Sequence, residues 1–328
     1  MAIASEAVWA AADVSDSTSW SVRLSGEQRR EIVAVARELD ERGCLLDSVS
    51  RARFDLPSLR NEIADWAEML TDGRGFVLIR DFPLAELSTR QVELAYIALG
   101  IQLGVPVSQN AAGDLLGHVQ DQGVIRNDPS VRLYQTSERQ DFHSDGADIV
   151  GLLCLQKARS GGESRIASAA SVYNRILEER PDLIEVLYEP MFGDRNGEES
   201  PGEDPYFALP ILSDVVGSPR MFFIGWYIRD AQRHHAVPGL TKSQRDAIEF
   251  IEQTANDPEI YLEMDFEPGD IQLLSNAKIL HSREAYEDDP DVGRRRHLLR
   301  LWLAAHEFAS VDQALRGGIP ARHEEEIG

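Results

Sequence analysis

The hydrophobic positions of the first hundred residues recur at helical spacing in three places. Each run follows a serine, which is a favoured helix N-cap because its hydroxyl accepts a hydrogen bond from a backbone N–H of the first turn. The pattern predicts amphipathic helices after Ser25, Ser58 and Ser88. Residues 75–83, Gly-Phe-Val-Leu-Ile-Arg-Asp-Phe-Pro, are typical of a buried strand.

From about residue 105 the spacing changes from helical to extended. Short β-like runs alternate with Gly, Pro, Asp and Asn, as strands alternate with turns. The runs lie at 105–109, 131–135, 149–156, 164–168, 206–212, 220–228, 260–266, 270–274 and 296–305. Helical patterns interrupt them at 169–189 and at 242–255, where Thr241 is a candidate cap. Many short strands with few helices predict a fold that is mainly β with helices (α+β), a sandwich or jelly-roll barrel with helices outside.

Three other segments lack a regular pattern. Residues 1–22 are rich in Ala and Ser without sustained periodicity, which is typical of a flexible N-terminal arm or a partner-binding tail. Residues 108–130 and 191–218 are long and polar. Long loops in a compact domain often act as lids or binding elements, so these two are candidates for shaping a binding site.

The charge balance excludes some partners. The 328 residues carry 33 basic and 56 acidic side chains, which gives a formal charge of −23. Nucleic acids and anionic membranes bind surfaces rich in Lys and Arg, so neither is an expected partner. No stretch approaches the roughly 20 apolar residues of a membrane helix. The two cysteines, Cys44 and Cys154, are too few for a disulfide framework and the N-terminus lacks a signal pattern, so we expect a cytoplasmic protein.

Two histidines and one aspartate form a candidate metal site. His143 and Asp145 stand two positions apart before an apolar run, and in extended backbone they point to the same face. His281 follows the turn and apolar run at 267–276. Two His and one carboxylate on one face of an ion are typical of non-haem Fe(II) oxygenases. Spacing alone is weak support, and the competing histidines, none of which forms a comparable pair beside a strand, are His118, His234, His235, His297, His306 and His323.

Residues 293–302 concentrate arginine in this acidic chain. In a strand, Arg296, Arg300 and Trp302 share one face. A guanidinium that points inward is costly unless an anion pairs with it. One interpretation is pairing with the acidic stretch 284–291, and the other is a bidentate contact to the carboxylate of a cosubstrate or substrate. The spacing leaves both open.

Together these motifs form a specific order. The order is Gly75 to Arg80, Phe142-His143-Ser144-Asp145-Gly146, Gly161-Gly162-Glu163-Ser164, Pro268-Gly269-Asp270, His281-Ser282-Arg283 and Arg296 to Arg300. In this order the sequence resembles the taurine dioxygenase-like family of Fe(II)- and 2-oxoglutarate-dependent oxygenases, including its clavaminate synthase-like branch. The resemblance spans roughly residues 74 to 305 and implies a double-stranded β-helix (jelly-roll) core with flanking α-helices. We therefore expect one jelly-roll oxygenase domain over 23–328, behind the arm at 1–22.

The resemblance also implies the metal ligands. Carried over position by position, it makes His143, Asp145 and His281 the ligands of Fe(II) and the catalytic residues. In related halogenases a small residue replaces the carboxylate ligand so that halide can bind iron. Because Asp145 is retained, halogenation is not expected.

The other implied roles concern the cosubstrate and the substrate. Arg296, fifteen residues after the distal His, resembles the residue that pairs with the far carboxylate of 2-oxoglutarate. Ser164 stands where some relatives carry a Thr that assists that carboxylate. Arg300 matches a position that in some relatives holds an anionic group of the substrate, and Asn276 is a further candidate substrate contact.

The implied reaction uses Fe(II), 2-oxoglutarate and O2, releases succinate and CO2, and hydroxylates an unactivated C–H of a small carboxylate- or amino-acid-like substrate, anionic or zwitterionic. Desaturation or oxidative cyclisation with the same cofactors stays open, as does a homo-oligomer. Two alternatives come from other classes. One is a non-catalytic barrel that binds a small acid, and the other is a cupin-like metal hydrolase or isomerase that would not require the arginine.

Overall fold

The computed structural model describes residues 1–49, 55–125, 131–215, 218–305 and 319. Helices in these parts are α1 (Gly26–Glu41), α2 (Arg60–Thr71), α3 (Thr89–Gly100), α4 (Ala169–Glu179), α5 (Ile184–Leu187), α6 (Gly225–Asp230) and α7 (Lys242–Ala255). Strands β1 to β8 are Ser21–Arg23, Phe76–Arg80, Val105–Pro106, Leu116–Val119, Gln140–His143, Ile149–Gln156, Ser160–Gly161 and Ser164–Ser168. Strands β9 to β17 are Pro190–Asp194, Tyr206–Pro210, Leu212–Val215, Ser218–Met221, Tyr261–Met264, Ile271–Ser275, Ile279–Arg283, Tyr286–Glu287 and His297–Ala304.

Two sheets form the centre of the molecule. The larger has the order β1-β2-β14-β6-β17-β3, with β4 also paired to β17, and the smaller has the order β13-β8-β15-β5. Every pairing is antiparallel except that of β1 with β2. One apolar cluster joins the two sheets, with Phe76, Val150 and Trp302 from the larger and Ile166 and Ile279 from the smaller. The sheets therefore pack face to face over a shared core.

Helices cover the outer faces of both sheets. Helices α2 and α3 contact the larger sheet, and α1 packs on α3, within one apolar cluster that includes Leu39, Trp66 and Tyr96. Helices α4 and α7 contact the smaller sheet and each other, within a second cluster that includes Val172 and Ile251. The observed mixture of sheets and flanking helices confirms the α+β prediction at that level.

Three of the predicted helices begin at a cap of the kind the sequence indicates. The side chains of Ser25, Ser88 and Thr241 each accept a hydrogen bond from the backbone N–H three residues on. Ser58 is an exception, because its hydroxyl donates to a Glu31 carboxylate oxygen at 2.6 Å and lies inside a 3-10 turn before α2. The prediction of a capped helix start at Ser58 is therefore wrong, although the helix itself follows.

Residues 1–22 pack against the sheets, in contrast to the flexible arm that their composition indicates. Trp9, Val14 and Trp20 are buried, and the rings of both tryptophans contact Phe76, with centroids 5.3 and 5.9 Å apart. The backbone N–H of Trp9 donates to Ser171 Oγ at 3.0 Å. Two large aromatic side chains bury enough apolar area to dock a segment that is otherwise rich in Ala and Ser.

The predicted strands at 131–135 and 220–228 differ from the structure. Within the first, residues 133–135 form a 3-10 turn, and within the second, β12 ends at Met221 and α6 begins at Gly225. The segment expected as a loop at 191–218 contains most of the β9–β10 hairpin and strand β11. No helix in the described parts of the chain is long and apolar enough to cross a membrane.

Candidate metal centre

His143 and His281 face each other across two neighbouring strands. They are directly paired in the antiparallel register of β5 and β15, and their ring centroids lie 4.1 Å apart. Asp145 follows β5 by two residues, with its carboxylate oxygens 3.8 Å from His143 Nε2 and 3.6 Å from His281 Nε2. All three side chains are buried, and one ligand atom of each lies within 4.8 Å of the others. Two imidazole nitrogens and one carboxylate oxygen suit Fe(II).

The protonation states of these side chains favour metal binding. Because the Asp141 carbonyl can only accept, the His143 Nδ1–H donates to it at 2.8 Å, which leaves Nε2 unprotonated toward Asp145. Burial, reinforced by the nearby His281, lowers the pKa of His143 to about 3. Burial alone would raise the pKa of Asp145, but Arg300 and the two imidazoles hold it well below its ordinary value. A neutral imidazole and an ionised carboxylate are the forms that bind a metal.

The backbone of Asp145 is fixed by Asn276. The Asp145 N–H donates to Asn276 Oδ1 at 2.7 Å, and Asn276 Nδ2 donates to the Asp145 carbonyl at 2.6 Å. Asn276 is buried and does not line the cavity beside the metal centre. The structure therefore places Asn276 behind Asp145, where it holds the backbone of a candidate metal ligand, whereas the sequence indicated a substrate contact.

The side chain of Asp145 is oriented by two residues of β17. Trp302 Nε1 donates to its Oδ2 at 2.9 Å, and Arg300 Nη1 lies 3.4 Å from the same oxygen. These contacts fix the direction of the carboxylate, as outer partners of metal ligands commonly do. Sequence spacing placed Arg300 and Trp302 on one face but gave no signal that they meet Asp145.

A cavity of about 410 Å³ is lined by two of the three candidate ligands, His143 and Asp145. Arg300 lines this cavity. Its Nε donates to Gln109 Oε1 at 2.7 Å, and its guanidinium packs on the rings of Tyr134 and Trp302. Trp226 also lines it, and its ring centroid lies 4.9 Å from that of His143. Gln140 Nε2 lies 3.0 Å from His143 Nε2 at the same cavity. The sequence analysis did not indicate Gln140.

Arg296 lies in a separate buried cluster. It is 5% exposed, its guanidinium packs on the ring of Tyr286, and its Nη1 has no hydrogen-bond partner among the described residues. Arg283 packs on the same ring, and its Nε and Nη1 also lack partners there. Burial lowers the pKa of Arg296, and burial together with Arg296 lowers the pKa of Arg283 to about 10. Two adjacent buried cations with unused donors are suited to binding an anion.

Two further positions complete the comparison with the sequence. Ser164 is buried opposite Arg283 in the register of β8 and β15, and its Oγ accepts from Gln272 Nε2 at 3.2 Å. The backbone N–H of Arg296 donates to Asp288 Oδ1 at 2.7 Å, but the Arg296 guanidinium forms no ion pair among the described residues. The acidic stretch therefore contacts the Arg296 backbone and leaves its charge available.

The competing histidines lie elsewhere. His118 and His297 contact each other at 2.9 Å, and His234 Nε2 lies 2.9 Å from a carboxylate oxygen of Asp194. His235 is exposed, and His306 and His323 lie outside the described residues. Within the described part of the chain, the only group of three suitable side chains close enough to hold a metal is His143, Asp145 and His281.

Two packed sheets that bring together two imidazoles from adjoining strands and one carboxylate from the loop after β5 are typical of non-haem iron oxygenases. Comparison with known proteins assigns the family: the profile of the "Taurine catabolism dioxygenase TauD, TfdA family" matches residues 41–302, and the chain belongs to that family. It is an oxygenase that uses Fe(II), 2-oxoglutarate and O2, so the expected cofactors are confirmed. Membership sets aside the non-catalytic and hydrolase alternatives.

Similar proteins cover nearly the whole chain. FR-33289 synthase of Streptomyces rubellomurinus is 34% identical over 92% of this chain and 90% of its own length. The taurine hydroxylase-like protein SAT17 of Stachybotrys chartarum is 28% identical over 93% of this chain and 80% of its own. The structure of the non-haem iron oxygenase OrfP with Fe and alpha-ketoglutaric acid matches over 92% of this chain and 100% of the OrfP chain, with a TM-score of 0.66 and 17% identity. This last likeness concerns the fold.

Proposed function

We propose that the enzyme hydroxylates an unactivated C–H of a small anionic substrate, converting it to C–OH while 2-oxoglutarate and O2 yield succinate and CO2. The observation that carries this proposal is Arg300, a buried cation that lines the cavity beside the candidate metal ligands. A cation buried in a cavity favours a substrate with an acidic group. Its neighbour Gln109 fixes the direction of the guanidinium.

His143, Asp145 and His281 are the proposed Fe(II) ligands, within a proposed jelly-roll domain that extends over 23–328. The geometry supports this set, since the three donor atoms lie close enough to share one ion. When bound, the iron activates O2 toward the substrate C–H. Asn276 holds the backbone of Asp145, and Trp302 holds its carboxylate. The proposed ligand oxygen is therefore preorganised for metal binding.

Arg296 is the proposed partner of the far carboxylate of 2-oxoglutarate. It is supported by the unpaired Nη1 and by the absence of an ion pair to its guanidinium among the described residues. Arg283, to which the sequence analysis assigned no role, supplies a second cation that packs on the same Tyr286 ring. Ser164 lies opposite Arg283 and is proposed to contribute its hydroxyl.

The names of similar proteins agree with a small polar substrate. One relative, 25% identical over 72% of this chain, is a uridine-5'-phosphate dioxygenase, and one structural neighbour is an asparagine oxygenase. We also propose a cytoplasmic location, which fits a chain with two cysteines, Cys44 and Cys154, that are both buried and not joined in a disulfide.

A single preparation tests the proposal. Anaerobic protein is mixed with Fe(II) and 2-oxoglutarate, the charge-transfer absorption of the chelate is recorded, and O2 is admitted with a panel of carboxylates, sulfonates, phosphonates and amino acids. We expect substrate-dependent succinate and a product that has gained one oxygen atom. A product that has lost two hydrogens instead would indicate desaturation or ring closure. Succinate formation that no acid stimulates would contradict the substrate class.

A further inference from the structure

The segment that connects β9 to β10 begins with two polar side chains that the proposed chemistry does not use. Arg195 and Asn196 follow directly after β9, and both line the cavity that contains Arg300. Asn196 is 3% exposed, and its Oδ1 has no hydrogen-bond partner among the described residues. Arg195 Nε is likewise buried and unpartnered, while its guanidinium packs near the Phe207 ring and its Nη1 forms an ion pair with Glu203 at 3.9 Å. Buried polar atoms without partners are rare, and in a cavity they indicate a ligand.

This pair is held in place by a buried anchor. Asp194, which is fully buried, accepts a hydrogen bond from the Asn196 backbone N–H at 2.6 Å. The same carboxylate accepts from Arg233 Nε at 2.7 Å and lies 2.9 Å from His234 Nε2. The φ of Asn196 is +52°, in the left-handed region that Asn and Gly enter more readily than other residues.

The acidic groups of the cavity are already engaged. Asp145 contacts Arg300 and Trp302, Asp194 is bound by its three donors, and Glu198 forms an ion pair with Arg132. A substrate ammonium would therefore compete with existing partners for each of these carboxylates. An acidic group and a neutral hydrogen-bonding group fit the cavity better than an α-amino acid does.

We propose that Arg195 and Asn196 recognise a second, neutral polar group of the substrate. Arg195 Nε can donate and Asn196 Oδ1 can accept, so the matching group carries an oxygen acceptor next to an N–H or O–H, as a carboxamide does. The proposed substrate is then a short acid that carries an amide-like group at a carbon atom distant from the acidic group. This inference rests on the proposed function, because it assumes that Arg300 binds the acidic group.

The test compares acids that differ only at the neutral group. Glutaramate and 5-methylhexanoate have the same skeleton, with a carboxamide in one and an isopropyl group in the other. The corresponding sulfonates and phosphonates form further pairs. Affinity is measured by calorimetry on the anaerobic enzyme loaded with Fe(II) and 2-oxoglutarate. We expect the amide of at least one pair to bind about tenfold more tightly or better, because the isopropyl group leaves the donor and acceptor unpaired.

Two variants locate the preference. Arg195→Met keeps the aliphatic stem against Phe207, and Asn196→Gly removes the side chain at a positive φ that glycine tolerates. Each should reduce the preference for the amide severalfold. Arg159→Met, at an exposed ion pair with Glu287, should retain it. Equal affinity within every pair, including no binding at all, or a preference that persists in both variants, would overturn the inference. The chelate absorption without added acid separately reports the iron chemistry, so the two failures are distinguishable.

Discussion

Replacing Asn276 with Ala should weaken iron binding through a residue that never contacts the metal. The wild-type side chain exchanges two hydrogen bonds with the backbone of Asp145, at 2.7 and 2.6 Å, in a buried environment. The substitution leaves an N–H and a C=O buried without partners, and each such group costs about 1–3 kcal/mol. The free energy of unfolding should therefore fall by about 2–6 kcal/mol.

The same loss should affect the metal site. With its backbone released, Asp145 no longer presents its carboxylate at a fixed place relative to the two imidazoles. Loss of an outer partner of a metal ligand typically lowers metal affinity by about 10- to 100-fold. The assay is competition for Fe(II) against a chelator of known affinity, with urea unfolding of the same preparations.

Asn174 offers a matched control. It makes the same pair of hydrogen bonds, to the backbone N–H and carbonyl of Ile3 at 2.8 and 2.9 Å, in the N-terminal segment. Asn174→Ala should lower stability while iron affinity stays unchanged. If Asn276→Ala loses stability but keeps wild-type iron affinity, Asn276 does not position the ligand and the reasoning is refuted.

Three further substitutions test other parts of the account. Arg296→Met should weaken 2-oxoglutarate binding about 100-fold in a titration of the chelate absorption, because charge-assisted hydrogen bonds are lost. The control Arg295→Met, at an exposed position, should leave 2-oxoglutarate binding unchanged. Equal effects of the two substitutions would contradict the assignment of Arg296. Trp302→Phe removes the donor to Asp145 Oδ2 and should lower iron affinity about tenfold in the chelator competition, so unchanged affinity would count against that contact. Trp9→Ala should cost about 3–5 kcal/mol in urea unfolding, and no loss would mean that the N-terminal segment is undocked.

The sequence predicted the parts of the fold that local patterns encode. Ser25, Ser88 and Thr241 cap helices because the capping hydrogen bond lies within four residues. The order of the β-like runs predicted a sheet protein. The failure at residues 1–22 has a physical reason, since docking of Trp9 and Trp20 depends on the distant Phe76, which no local pattern reports.

The same contrast between local patterns and contacts distant in the sequence applies to the candidate site. His143 and Asp145 are two residues apart, so spacing already placed them on one face, and ordered motifs added His281. The contacts that orient Asp145 come from Asn276 and Trp302, which are more than a hundred residues away in the chain. Such pairs depend on strand register across the sheets. The sequence therefore indicated Asn276 only as a substrate contact and could not report its hydrogen bonds to Asp145.

We propose that His143, Asp145 and His281 hold one Fe(II) that 2-oxoglutarate chelates in this protein. The direct measurement is the visible charge-transfer absorption of the anaerobic protein with Fe(II) and 2-oxoglutarate, in the wild type and in His143→Ala, Asp145→Ala and His281→Ala. We expect a band in the wild type that each substitution abolishes or greatly weakens. No band in the wild type, or an undiminished band in any of the three variants, would contradict it.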